Sequence, residues 1–144
     1  MPVSLTKEEA YEFLDERRGW IILTTIGRDG YPHSVPIGYF RQGDDIYLGG
    51  RSGTQRLKNL ERNSKVSLLI ESGGTMQDIK GLMIQGDADV VTKSEDVLPL
   101  MREAAKRRGA SEDDLPTEVG PGVAYVRVRP RRLVSWDYSR QAPS

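Results

Sequence analysis

The sequence predicts a mainly β fold of the α+β class: an antiparallel barrel, closed or partly closed, of six to seven strands with two to three helices. Three observations carry this expectation. Short β-branched and aromatic runs recur along the chain. Tight hairpin turns join the early ones. No strand–helix–strand alternation of the parallel type is present. The chain has 144 residues and no linker-like stretch, so it reads as one domain over 1–144, with an N-terminal helix within 1–19 and a barrel core over 20–138.

Each element follows from local signals. Thr6 and Glu9 have the T-x-x-E spacing of a capping box, Leu5 is placed to staple onto Ala10, and Ala10, Phe13 and Leu14 share one helical face. Gly19 suits the end of that helix. WIILTTIG (20–27) is strand, and Asp29-Gly30 is a strong hairpin turn. HSVPIGYF (33–40) returns as a second strand, weakened by Pro36 and Gly38. QGDD turns into DIYLGG, a third strand. GRSGTQRLKNL (50–60) follows as a loop and a short helix with one narrow apolar edge, Leu57 and Leu60. KVSLLIES is a fourth strand, and IKGLMIQGDADVV is a long fifth one with bends expected at Gly81 and Gly86. Ser94 is read as the cap of a helix whose regular part starts near Pro99 and which stops at Gly109. VAYVRVRP is a sixth strand, RRLVSWDY a possible seventh, and RQAPS is expected to fray.

Composition excludes several kinds of chemistry. Lys plus Arg and Asp plus Glu are 21 each, so the formal charge is zero, unlike a general nucleic-acid binder. With no cysteine there is no disulfide, thiolate nucleophile or cysteine metal site, and a reducing cytoplasm is expected. No apolar run approaches the roughly 20 residues of a membrane span, and the N-terminus has no secretory pattern. His33 is the only histidine. It is read as a hydrogen-bonded residue at a strand start rather than a catalytic base.

One stretch departs from the neutral average. Between Arg51 and Lys65 five cations face a single acid, Glu61. Gly50 and Gly53 permit unusual backbone angles, and Thr54 offers a cap or a hydroxyl for an anion. Guanidinium groups and free N–H groups at a helix start make a phosphate site; a solvated basic surface is the equally weighted alternative. Pro36 and Gly38 leave a strand with little bulk, suited either to a flat ligand or to a sheet edge. Trp136, near Asp137 and Tyr138, reads as a ring cover or, more commonly, as a core or interface plug. Arg127, Arg129, Arg131 and Arg132 alternate with apolar residues and are read as a solvated face. A nucleic-acid or partner-binding β-domain using the basic helix is the reading from a different class.

In their order and spacing these pieces resemble one family: the flavin and deazaflavin oxidoreductases that share the split β-barrel of pyridoxamine 5′-phosphate oxidase. The resemblance runs from Trp20 to Tyr138 through DGYP, SVPIGYF, IYLGG, RLKNLERNSKVSLLIE, MIQGDADVV and RLVSWD. It implies a split barrel of the FMN-binding type and a homodimer with the cofactor at the subunit interface. The cofactor phosphate would fall to Gly49, Gly50, Arg51, Thr54, Gln55 and Arg56. Asn59 would tether the basic helix to the barrel, and the flat ring would lie along Pro36, Ile37 and Gly38. Lys80 and Trp136 would come from the partner subunit. The implied activity is hydride transfer between FMN or coenzyme F420 and a small organic substrate, the cofactor carrying the redox chemistry. The overall pattern sits closer to the deazaflavin-using branch. No pyridoxamine phosphate site is recognisable, and the chain ends in SRQAPS without an arginine-rich tail, so that oxidase activity is the lesser alternative. A non-enzymatic flavin, deazaflavin or haem-type binder on the same barrel is the other.

Overall fold

The structure is a computed structural model that describes residues 2–16 and 20–141. Gly19, the expected helix stop, and residues 142–144 lie outside the described residues. Strands β1 (Pro2–Val3), β2 (Trp20–Ile26), β3 (Pro32–Gln42), β4 (Asp45–Arg51), β5 (Lys65–Glu71), β6 (Lys80–Val91) and β7 (Val123–Gln141) form one antiparallel sheet. Its order is β1-β7-β4-β3-β2-β5-β6, and β6 also pairs β7. That last pairing closes β2 to β7 into a six-stranded barrel. Helices α1 (Lys7–Glu16), α2 (Gln55–Arg62) and α3 (Ser94–Arg107) lie against it.

The barrel closes because inward positions alternate along every strand with nothing but apolar bulk at their centre. Ile21, Leu23, Ile46, Leu48, Leu68, Leu82, Ile84, Val126 and Val128 are fully buried, each worth about 1.5–3 kcal/mol of transfer free energy. Ala10, Phe13 and Leu14 of α1 join the same core. The capping box of α1 forms as the sequence predicts: Thr6 N–H donates to Glu9 Oε1 (2.9 Å) and Glu9 N–H to Thr6 Oγ1 (3.1 Å). Helix α3 packs outside the barrel through Val97 and Ala104 onto Phe40 and Tyr125.

Several expectations are corrected. Helix α3 begins at Ser94 itself, so Ser94 is its first turn and not its cap, and Pro99 lies inside it. The two expected last strands are one strand of 19 residues. Pro130 pairs with Gly86 at the point where the β6–β7 register shifts, so its missing N–H falls in a bulge and the strand bends without ending. A Cβ on Gly86 would stand 2.6 Å from the Arg129 carbonyl oxygen, which is why the crossing needs glycine. Arg140 does not fray; it pairs with Glu9 (2.9 Å) and Asp137 (3.1 Å). The arginines of β7 lie on a solvated face, as expected, and there answer to aspartates: Arg127 to Asp45 (2.8 Å), Arg129 to Asp89 (3.2 Å) and Arg131 to Asp87 (2.7 Å). Among the described residues no helix is long and apolar enough to cross a membrane.

Candidate functional site

The barrel is split between β3 and β4. Their ladder runs from Gln42↔Asp45 to Tyr39↔Leu48 and stops there. The next pair would be Gly38 opposite Gly49. Beyond that point β3 pairs with β2, and β4 pairs with β7. Strands that diverge leave backbone groups on the facing edges free to meet a ligand. The gap opens into a groove of about 820 Å³, within the usual range of small-molecule sites.

Three groups of residues build its walls. On the floor are Ile37, Gly38, Gly49 and Gly50. A Cβ on Gly38 or Gly49 would meet nothing within 4 Å, and neither residue has a positive φ. The chain's own packing therefore does not require glycine at either position. Gly50 differs, since its Cβ would press on Leu57 Cδ1 at 3.2 Å; here glycine lets α2 approach the sheet.

At one end stands the start of α2. Gly53 turns the chain with φ +85°, a conformation open to glycine at little cost. Arg51 and Arg56 line the groove. The Nε of Arg56 is buried and has no hydrogen-bond partner. Thr54 does not cap the helix with its side chain; its hydroxyl donates to the Arg51 carbonyl (2.9 Å) and holds the loop closed. Asn59 is fully buried. Its Nδ2 donates to Thr25 Oγ1 on β2 (3.0 Å), and its Oδ1 accepts from Gln55 Nε2 (2.8 Å) and Arg62 Nη2 (2.9 Å). Asn59 thus ties α2 to the barrel.

At the other end, Phe40 and Tyr47 stack with centroids 5.3 Å apart, and Tyr125 meets Phe40 edge-on at 6.4 Å. Burial pushes the Tyr125 phenol above its ordinary pKa, partly opposed by the charge of Arg108. Arg107 and Arg108 from the end of α3 complete that wall. Arg41 also reaches the groove, but Asp15 neutralises it through a two-pronged pair at 3.0 and 2.6 Å. The lining holds five arginines and one carboxylate, Asp15, in a chain with no net charge.

Of the twelve residues expected at the site, the groove brings together Ile37, Gly38, Gly49, Gly50, Arg51 and Arg56. Thr54, Gln55 and Asn59 stand behind it as loop and helix supports. Pro36 sits one residue outside it. Trp136 and Lys80 lie elsewhere in this chain. The Trp136 ring covers Gly81, so that a Cβ there would fall 2.3 Å from it. The Lys80 ammonium rests over the Phe13 ring at 5.3 Å. His33 Nδ1, expected to be hydrogen-bonded, is buried without a partner, and His33 does not line the groove. Sequence reasoning missed Arg107, Arg108 and the aromatic wall. The run KRRG before Gly109 was the available signal for the arginines; the wall had none, since its three rings come from three strands.

A family model, that of pyridoxamine 5′-phosphate oxidase, matches residues 6–137. No curated protein matches the sequence. Among solved structures, the chain is similar to a conserved hypothetical protein of Mycobacterium tuberculosis with a TM-score of 0.83 and 24% identity, over 99% of this chain and 93% of that one. It is similar to an F420 reductase with a TM-score of 0.67 and 20% identity, over 87% and 96%. A third is HutZ, the haem storage protein of Vibrio cholerae, with a TM-score of 0.72 and 18% identity, over 94% and 100%. At these identities the structural likenesses show the fold alone.

Proposed function

The chain belongs to the pyridoxamine 5′-phosphate oxidase family of flavin-binding split barrels, and from that premise we propose that it is a cytoplasmic, homodimeric oxidoreductase holding FMN or coenzyme F420 in the groove between β3 and β4. One observation carries the reading. Two glycines, unneeded by the chain's own packing, leave open space on the groove floor beside a buried, unpartnered Arg56 Nε. A flat ring system fits against the part of the floor that Gly38 and Gly49 leave without side chains, and a phosphate answers an unpaired guanidinium N–H.

In this reading Arg51 and Arg56 hold the phosphate together with the first N–H groups of α2, where the helix dipole is positive. Gly38, Gly49 and Ile37 let the ring approach the backbone. The bound cofactor supplies the transfer of a hydride to or from a small organic substrate. The protein's part is position and exclusion of water. Phe40, Tyr47 and Tyr125 keep one wall apolar, and Asn59 fixes the helix that carries Arg56. A haem-binding role finds no matching donor in the sole histidine, because His33 is not a groove residue.

The dimer is supported by an apolar row on the outer face of the barrel. Register places Pro36, Ile22, Leu69, Met83 and Val134 side by side across five strands. Leu69 and Trp20 on this face are exposed at 38% and 70%, and Trp136 flanks the row.

Titrating the purified protein in parallel with FMN and F420, followed by absorbance and fluorescence, tests the reading. Saturable binding of one of them at micromolar concentration is expected. If neither binds, the oxidoreductase reading is lost. Binding without turnover on quinones, nitroaromatics and tetrapyrroles would instead make the protein a cofactor carrier.

A further inference from the structure

The groove has a second cationic end that a cofactor phosphate does not reach. Arg107 and Arg108 close α3, and the chain is held there by a complete C-terminal motif. Gly109 takes φ +94°, its N–H donates to the Lys106 carbonyl (2.9 Å), and the Ala110 N–H donates to the Ala105 carbonyl (3.0 Å). The arginines are thus set against the groove wall rather than left on a loose tail. The Arg107 guanidinium lies 5.6 Å from the Phe40 centroid, and its Nε donates to Glu103 (2.8 Å). The Arg108 side chain makes no hydrogen bond or ion pair among the described residues, although its charge is felt at Tyr125.

Distance separates this end from the other. Tyr47 of the aromatic wall and Arg51 of the phosphate end both line the groove and stand four residues apart on β4, a span of about 13 Å at strand rise. One phosphate does not bridge it. Arg107 is paired with Glu103 (2.8 Å), but Arg51, Arg56 and Arg108 form no ion pair among the described residues; these three charges repel one another, and a second anion at the far end relieves that repulsion.

The chemistry of that anion can be narrowed. The helix end here is a C-terminus, whose dipole is negative and disfavours a doubly charged group. Two guanidinium forks favour a planar acceptor that takes paired N–H bonds, which a carboxylate is. Phe40 and Tyr125 are buried beneath α3, and the half-buried Tyr47, stacked on Phe40, is the ring of this wall open to a flat ligand face.

We infer that the α3 end of the groove is the substrate end, and that it selects a planar, conjugated substrate bearing a carboxylate, held by Arg107 and Arg108 with its ring against Tyr47. This rests on the proposal that the cofactor phosphate occupies the α2 end. It makes the two arginines specificity determinants that act on the substrate and not on the cofactor.

The test compares 2-naphthoate with its neutral amide, 2-naphthamide, by calorimetric titration of the cofactor-free and the cofactor-loaded protein. The acid should bind about tenfold or more tightly than the amide, the scale of a hydrogen bond to a charged group. In an Arg107→Ala/Arg108→Ala variant that preference should fall to about twofold or less, with the amide and the cofactor bound as before. An Arg107→Lys/Arg108→Lys variant should keep part of the preference, which separates lost charge from a disturbed helix. Equal binding of acid and amide to the wild type overturns the inference, as does a preference that survives the double alanine change. A double variant that loses FMN or F420 affinity as Arg56→Ala does would assign α3 to the cofactor's own anions, and overturns it too. A naphthoate preference in a protein that binds neither cofactor supports a carboxylate-selective site at the α3 end while the cofactor proposal fails.

Discussion

Arg56 brings together two features that rarely persist without a ligand. Its Nε is buried and unpaired, and it sits in the first turn of a helix, where the dipole disfavours a cation. Both costs are offset if an anion binds there. Arg56→Ala should therefore weaken FMN or F420 binding by about 1.5–3 kcal/mol, read by fluorescence titration, while the protein stays folded. An unchanged affinity would move the phosphate elsewhere. Asp87 shows the opposite situation, a charge already answered. Lys65 Nζ lies 2.5 Å and Arg131 Nε 2.7 Å from its carboxylate, and these two bonds hold its pKa at about 2. Because the folded value lies below the unfolded one, the stabilisation is present above the unfolded pKa and is lost as pH falls through the folded value. Asp87→Asn should lower Tm at pH 7, and the difference from wild type should vanish as pH falls from about 4 to about 2. A gap that persists at the acid end would mean that Asp87 acts through packing and not charge.

At the scale of elements, α2 is held by its apolar edge, Leu57 and Leu60, both buried in the barrel core, and by one amide. Asn59 is fully buried and spans from Thr25 on β2 to Gln55 and Arg62 on its own helix. Asn59→Ala leaves Thr25 Oγ1 without its donor inside the protein, at a cost of about 2 kcal/mol. Urea unfolding of Asn59→Ala, Thr25→Val and the double variant should give a double-mutant coupling of about 1 kcal/mol; additive losses would show that the tether is not one unit. This scale also shows what could be read in advance. The capping box at Thr6 and Glu9, the turn at Gly30 and the stop at Gly109 rest on neighbours a few residues away, so their residue types announce them. The bulge at Gly86 was visible as a glycine, but its partner Pro130 was not, so one bent strand looked like two. The groove exists because the β3–β4 ladder stops after Tyr39↔Leu48, a register between distant segments that no local pattern records. Of the six expected site residues that meet there, Gly49, Gly50, Arg51 and Arg56 do so because the end of β4 runs into the start of α2 through a short loop, while Ile37 and Gly38 come from β3. Arg107 and Arg108 arrived through the packing of α3 on Phe40 and Tyr125, a contact written in tertiary structure.

At the scale of the molecule, the barrel's outer face poses a different question from its groove. One outward row, Ser34, Thr24, Ser67, Gln85 and Arg132, is polar or charged throughout, as an antiparallel sheet facing water requires. The row through Pro36, Ile22, Leu69, Met83 and Val134 breaks that alternation across five neighbouring strands. Single exposed apolar residues are ordinary on protein surfaces, but contiguous ones mark contact surfaces. A two-fold dimer needs one self-complementary patch, and a flat sheet face meets that condition with few geometric demands. Trp136 borders the patch, which is how a residue remote from the groove in its own chain would approach the groove of a partner. Leu69→Arg puts a charge at the centre of the row on a side chain already 38% exposed, so the monomer fold should survive. Sedimentation equilibrium should then give a dimer for the wild type and a monomer for the variant. If the proposed dimer completes the site, cofactor affinity should fall in the variant as well. A wild type that sediments as a monomer, or a monomeric variant that binds cofactor as tightly as the wild type, would confine the whole site to one chain and leave Trp136 a structural cover for Gly81.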